Sequence, residues 1–377
     1  MRVYFDNAAT TPLDPQVMEA MMPYFQQHYG NPSSIHTHGR EARAALDKAR
    51  KTVANYLHAA TSEIFFTSGG TEADNTAIIS AIRSNGIRHA ITSPLEHHAV
   101  LHTLEAMQKA GEIRLSKLAL KEKGELDLVH LEKLLEENPS SFVSLMHGNN
   151  EIGNLLDIEA VAILCKQYGA LFHSDTVQTM GHYSFDLQQN APDFIAASAH
   201  KFHGPKGVGF LYINANTKIH PYLHGGGQER NMRGGTENVY GIVGLAKAME
   251  IAYTTLEEQK RHILQLKSRM IAGLKENIPG VKFNGLSEDL DKSLYTVLSV
   301  AIPDAGDDDM LIFNLDINKI SASAGSACSS GTNIGSHVLQ AIKADEAYGH
   351  IRFSFSKYNT VEEVDYVLEK LKSVKKL

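Results

Sequence analysis

Strand-like and helix-like runs alternate along the first two thirds of this chain, and that alternation constrains the fold more than any other feature. Short apolar runs at Glu63–Thr67, His89–Ser93, Phe142–His147, Ala170–Ser174, Phe194–Ser198 and Val208–Ile213 read as strands. Helical spacing near Val100–Met107, Leu128–Leu135 and Ile158–Cys165 falls between the earlier ones. This βαβα order predicts a mostly parallel sheet covered on both faces. Upstream, Asp14-Pro15 reads as an N-cap and first helical turn, with Val17, Met18, Met21, Met22 and Phe25 on one apolar face. Leu46, Ala49, Val53 and Leu57 continue helical spacing. After about residue 240 the pattern changes. One long helical run is expected over Ile242–Leu274, ended by Pro279-Gly280, followed by strands at Leu294–Ile302 and Ile351–Phe355. Thr360 and Glu363 form a capping box ahead of a last helix with Val364, Val367, Leu368 and Leu371 on its buried stripe. A large domain followed by a smaller α+β domain results, and the first dozen residues fit either.

Composition narrows the function. Lys plus Arg is 36 against 43 Asp plus Glu, a net charge of −7, which argues against an electrostatic nucleic-acid binder. No apolar run approaches the roughly 18 residues that cross a bilayer, and no secretory leader is recognisable, so a cytoplasmic protein without a membrane partner is expected. Two cysteines, Cys165 and Cys328, cannot build a disulfide framework.

Several segments can carry chemistry. Lys201 lies just past a predicted buried strand, in Ser198-Ala199-His200-Lys201-Phe202-His203-Gly204-Pro205. A desolvated lysine loses its proton and condenses with carbonyls, whereas a lysine in an open loop does neither. Asp175 ends another strand, where ligands of parallel α/β sheets bind. It suits a protonated heteroaromatic nitrogen such as that of pyridoxal phosphate, and equally a helix N-cap. Thr67-Ser68-Gly69-Gly70-Thr71-Glu72 joins a strand to a helix through glycines and hydroxyls, fitting a phosphate or a plain capped helix. His98 and His102, four apart, share a helix face, but a third ligand and H-E-x-x-H are missing, so no metal site is expected. Cys328 stands in a run of small residues, Ser323–Gly331, which suits a reachable nucleophilic thiol, while Cys165 is flanked by apolar helix residues and reads as an inert core thiol. Arg352, inside an apolar strand, either faces solvent or clamps a carboxylate.

Taken together, DNAATTP at 6–12, GNPSS at 30–34, TSGGTEADN at 67–75, EHHAV at 96–100, NNEIG at 149–153, HSDTVQ at 173–178, SAHKFHGPKG at 198–207, HGGGQERNMRGGTEN at 224–238, GSACSSG at 325–331 and RFSF at 352–355 resemble the cysteine desulfurases of the NifS- and IscS-like group. These are pyridoxal-phosphate enzymes of the class V aminotransferase family. The resemblance implies the fold type I PLP-dependent transferase architecture, with a large domain over 13–250 holding a seven-stranded-type sheet. A small domain over 1–12 and 251–377 would carry the catalytic cysteine loop.

It also implies roles. Lys201 holds the cofactor, Asp175 pairs with its ring nitrogen, Gln178 bonds its ring hydroxyl, and His97 stacks on the ring and shuttles protons. Gly70, Thr71, Ser198 and His200 hold the phosphate, joined by Thr236 from the other subunit of a homodimer. Asn150 and Arg352 bind the carboxylate of L-cysteine, with Asn31 close by. Cys328 takes the sulfur as a persulfide, L-alanine leaves, and the sulfur passes to an acceptor protein such as an iron–sulfur scaffold, or toward thio-cofactor or tRNA synthesis. The alternative on the same scaffold is a selenocysteine lyase or another class V aminotransferase-type enzyme. Thr176, in place of a small residue, and Ser356-Lys357, in place of glycine, depart from the pattern.

Overall fold

The structure, a computed structural model, describes residues 1–303, 308–324 and 335–374. Strand β1 (Val3–Tyr4) precedes helices α1 (Pro15–Gln26) and α2 (Thr37–Tyr56). The large sheet then builds from β2 (Ile64–Thr67), β3 (His89–Thr92), β4 (Arg114–Lys117), β5 (Phe142–Ser144), β6 (Leu171–Asp175), β7 (Phe194–Ser198) and β8 (Gly209–Ile213). Helices α3 (Gly70–Asn85), α4 (His98–Lys109), α5 (Leu128–Glu137) and α6 (Ile158–Gln167) connect them. Helices α7 (Val239–Thr254) and α8 (Leu256–Asn277) lead to β9 (Lys282–Phe283), β10 (Val297–Pro303), α9 (Asp308–Ile317), β11 (Ile320–Ser321), α10 (His337–Ala341), β12 (Tyr348–Ser354) and α11 (Val361–Val374).

The seven-stranded sheet has the order β2-β8-β7-β6-β5-β3-β4. All neighbours run parallel except β8, which is antiparallel to both β7 and β2. Alternation along β7 shows why both faces are buried: Ile195 and Ala197 join one apolar cluster with α2 and α7, and Phe194 and Ala196 join another with α3 and α4. The three-stranded sheet β12-β10-β9 is antiparallel, and its core takes in Val3 and Phe5 together with residues of α8 and α11.

Caps lie where the sequence places them. Asp14 accepts the Gln16 N–H at 2.9 Å, and Thr360 and Glu363 bond each other's backbone N–H groups at 3.3 and 3.0 Å. Three expectations are corrected. The long run over Ile242–Leu274 is two helices, because Thr255 leaves helical geometry (φ −117°, ψ 19°) while its hydroxyl bonds back to the Ile251 carbonyl at 2.7 Å. On α1 only Val17 and Met21 are buried, whereas Met18, Met22 and Phe25 are exposed. Strand β4, an edge strand carrying the two cations Arg114 and Lys117, has no apolar signature to reveal it.

A buried ion pair locks the far edge of the large sheet. Arg50 of α2 meets Glu229 in two bonds of 2.6 and 2.8 Å, and Glu229 also accepts the Phe66 N–H of β2 at 2.8 Å. Both side chains are almost fully buried. Arg50→Met leaves the Glu229 carboxylate buried without its partner, and we expect a loss of about 3–5 kcal/mol in urea unfolding, with the double variant Arg50→Met/Glu229→Leu recovering part of it.

Candidate active site

Burial on both faces leaves the strand ends as the places where polar groups meet solvent, and one cavity of about 290 Å³ opens there. Asp175 is the last residue of β6, Ser198 the last of β7, and Lys201 ends the short turn that follows. Gly70 and Thr71 begin α3, directly after β2. All five line the cavity, together with His97, Asn150, Gln178, His200 and Arg352. Ten of the residues expected in the site therefore converge. Asn31 and Thr236 do not reach it within one chain: both are exposed, and the Asn31 side chain is engaged with the Ser33 N–H at 2.9 Å. Cys328 lies outside the described residues.

The glycine turn is shaped by close approach. Gly69 has φ 154° and ψ −174°, and a Cβ on Gly70 would meet Val177 Cγ2 at 2.7 Å. Ser198 lies against the same turn, 3.6 Å from where a Cβ on Gly69 would sit. The first N–H groups of α3 have no partner inside the helix, so the turn presents donors and hydroxyls.

The Lys201 ammonium group donates to the carbonyls of Ala8 and Ala9 at 2.6 and 3.0 Å. Gln178 Nε2 donates to the same Ala8 carbonyl at 3.0 Å. The N-terminal segment is threaded into the site by further bonds, among them the Thr11 N–H to the His200 carbonyl at 2.9 Å and the Ala8 N–H to Ser354 Oγ at 2.8 Å. Sequence reasoning assigned Ala8 and Ala9 no role. Backbone acceptors carry no side-chain signal, and only the run of small residues at 8–11 hinted at close approach.

Burial governs the charges. Asp175, whose Oδ1 accepts the Val177 N–H at 2.9 Å, is pushed up to about 6 by desolvation, against the pull of the Lys201 charge. Beside it Asp74 and Glu96 are also raised well above the ordinary carboxylate range, first by burial and then by their neighbours' negative charges. Asp74 lines the cavity and was not anticipated; it faces the His173 ring at 3.3 Å. His97 caps α4, its Nδ1 accepting the Ala99 N–H at 3.1 Å, which leaves the proton on Nε2. Burial, then the Lys201 charge, lowers it to about 4, so it is neutral at physiological pH.

Arg352 is buried, donating to the Asn150 carbonyl and to Asp6 Oδ1, each at 2.9 Å, while its Nε–H has no partner among the described residues. Ser323 donates to the same Asp6 oxygen at 2.7 Å. On the far side of 325–334, Ser336 bonds Glu151, and His337 meets the Glu96 carbonyl at 3.0 Å and His98 at 3.1 Å. His98 stacks on His102 at 4.5 Å, and among the described residues no group of three His, Cys, Asp or Glu is arranged to hold a metal ion. Cys165 is buried in the core, which raises its thiol far above the ordinary value. The two departures from the family pattern have local partners: Thr176 bonds the Ala196 carbonyl at 2.9 Å, and Lys357 pairs with Asp14.

The aminotransferase class-V family profile matches residues 3–367. The chain belongs to the class-V aminotransferase family. Among class-V relatives, a cysteine desulfurase IscS of Dictyoglomus turgidum is 41% identical over 377 residues, covering 99% of this chain and 94% of that one. A cysteine desulfurase NifS of Azotobacter vinelandii is 40% identical over 98% of this chain and 91% of its own. A solved NifS-like protein superposes with a TM-score of 0.90 at 40% identity, covering 99% of both chains. The class-V architecture is thus the fold type I arrangement expected from the sequence.

The buried imidazole supplies a pH test. In the unfolded chain His97 titrates near its ordinary 6.5, but in the folded chain near 4. As pH falls from 6.5 toward 4 the unfolded state gains a proton that the folded state refuses, so stability drops by about 1.4 kcal/mol per pH unit from this group. His97→Asn keeps the cap and removes the titration. Its urea midpoint is expected to fall less steeply across that window than the parent's.

Proposed function

We propose that this chain is a pyridoxal-phosphate-dependent cysteine desulfurase, which removes sulfur from L-cysteine and leaves L-alanine. The observation that carries the reading is the convergence of Lys201, Asp175 and the Gly70-Thr71 turn on one cavity whose donors and acceptors match the cofactor's three ends. The fit is physical. The turn has no room for a Cβ at Gly70, so its backbone N–H groups would hold the phosphate; the buried Asp175 would hold the ring nitrogen, and the Lys201 amine the aldehyde. Ser198, His200 and Thr71 add to the phosphate end, and Gln178 and the His97 ring to the ring.

When bound, the cofactor would supply an aldehyde able to condense with amines and an electron-poor ring able to accept charge. Arg352, whose Nε–H lacks an acceptor among the described residues, and Asn150 bind the substrate carboxylate. The Lys201 amine would take the substrate α-proton. Asp175 holds a proton on the ring nitrogen throughout. The neutral His97, with its proton on Nε2, passes protons at the mouth of the ring site. The Cys328 thiolate then attacks the substrate sulfur: an Sγ–S bond forms, the substrate Cβ–S bond breaks, and its electron pair returns to the three-carbon skeleton, which takes up protons and leaves as alanine. Position 328 is five residues along the chain from Ser323, which is bonded beside Arg352 through Asp6. The resulting persulfide is passed to an acceptor protein, for which we take an iron–sulfur scaffold as the first candidate.

We further take residues 13–250 as the cofactor-binding domain and 1–12 with 251–377 as the second domain, supported by their separate apolar clusters. A homodimer accounts for Asn31 and Thr236, which a second copy brings to the cavity. It also covers Met18, Met22, Phe25, Tyr29 and Ile35, all exposed, where Phe25 stacks on Tyr240 at 4.2 Å. Among the described residues no helix is long and apolar enough to cross a membrane.

Purified protein is expected to be yellow and to release one alanine per sulfur removed. Lys201→Ala abolishes the colour acquired on reconstitution. Cys328→Ala keeps the colour and stops sulfide release from cysteine; full sulfide release by that variant sinks the assignment. Sedimentation should give a dimer, and Thr236→Val should weaken cofactor binding about tenfold without dissociating it.

A further inference from the structure

The proposed mechanism leaves one charged pair beside the glycine turn unused. Glu72 follows Thr71 directly in the first turn of α3, and its Oε2 accepts the Ser68 N–H at 2.9 Å, folding the side chain back over the glycine turn. This bond fixes the shape of the turn. It also sets a carboxylate, only 15% exposed, next to the place where a phosphate dianion binds. Poorly screened like charges at such range repel strongly. Arg233, 161 residues away in the 224–238 loop, closes on that carboxylate with Nε to Oε1 at 2.8 Å and Nη2 to Oε2 at 3.2 Å. Burial alone would push the Glu72 carboxyl up, but the bonds from Arg233 and Ser68 more than offset it, so Glu72 stays ionised and keeps its hold on the turn. Glu229, another acid near Arg233, is already neutralised by Arg50.

We propose that Arg233 is a positioning residue for the phosphate end of the cofactor, acting through Glu72: its guanidinium cancels a carboxylate that shapes the cradle and would otherwise repel the phosphate. The inference rests on the reading of Gly70-Thr71 as the phosphate cradle. Its signature is selective. Loss of Arg233 weakens binding of a phosphorylated ligand and spares the same ligand without phosphate. Removing the Glu72 charge as well, by Glu72→Gln, restores binding, because the amide oxygen of the new side chain still accepts the Ser68 N–H and carries no charge to repel the phosphate.

The test measures equilibrium binding of pyridoxal phosphate and of pyridoxal to the full chain stripped of cofactor, by absorbance titration. For Arg233→Gln, the Kd for pyridoxal phosphate should rise about tenfold while that for pyridoxal stays within about twofold. Glu72→Gln/Arg233→Gln should return to within about threefold of the parent for pyridoxal phosphate. The proposal is overturned if Arg233→Gln weakens both aldehydes alike, if it weakens neither, or if the double variant binds no better than the single one. A parent that binds the two aldehydes equally well removes the phosphate cradle itself, and the proposal with it, so the two failures are told apart.

Discussion

A sheet buried on both faces can offer polar chemistry only at its strand ends, and the rest of this structure follows from that constraint. Asp175, Ser198 and the glycine turn after β2 meet because β6, β7 and β2 end on the same side. The antiparallel β8 sits between β7 and β2 and sets how closely they approach. At Gly209, opposite Ser198, a Cβ would lie 2.8 Å from Gly69 Cα, so the strand passes the turn with no space for a side chain. The same depth that joins these groups removes them from water.

Desolvation then decides which groups carry charge. Asp74, Glu96 and Asp175 are all buried, and burial raises all three. His97, His173 and His200 near them are lowered by the same cause. Imidazoles that resist protonation leave Lys201 and Arg352 as the cations of the cavity wall. Each is held by oxygen: Lys201 by two backbone carbonyls, Arg352 by a carbonyl and Asp6. A cavity arranged this way receives an anionic ligand at one end, a carboxylate at the other, and keeps proton carriers neutral between them.

The N-terminal segment is what closes the site. Val3 and Phe5 are anchored in the small core, and from there residues 6–12 cross to the large sheet, where Thr11 bonds His200 and His203. Along the way Asp6 holds Arg352 and Ser323, and Ala8 and Ala9 hold Lys201. This short segment thereby ties the carboxylate clamp to the reactive amine, with Asn7, Ala8 and Thr11 buried along the way.

Much of this was legible in advance. Alternating apolar runs specify strands and amphipathic helices because side-chain period is a local property, and the caps at Asp14 and Thr360 follow from single residues. The residue types at strand ends, read together with their order along the chain, pointed to the amine, the acid and the phosphate turn. What the one-dimensional pattern could not supply was partnership. The exposure of Met18 and Phe25, the pairing of Glu72 with Arg233 and the carbonyls that hold Lys201 depend on neighbours distant in sequence. Residue type and spacing determined which chemistry this protein possesses; the tertiary structure decided which groups are desolvated, and therefore which are charged, because burial is a property of the whole packed chain and of no segment alone.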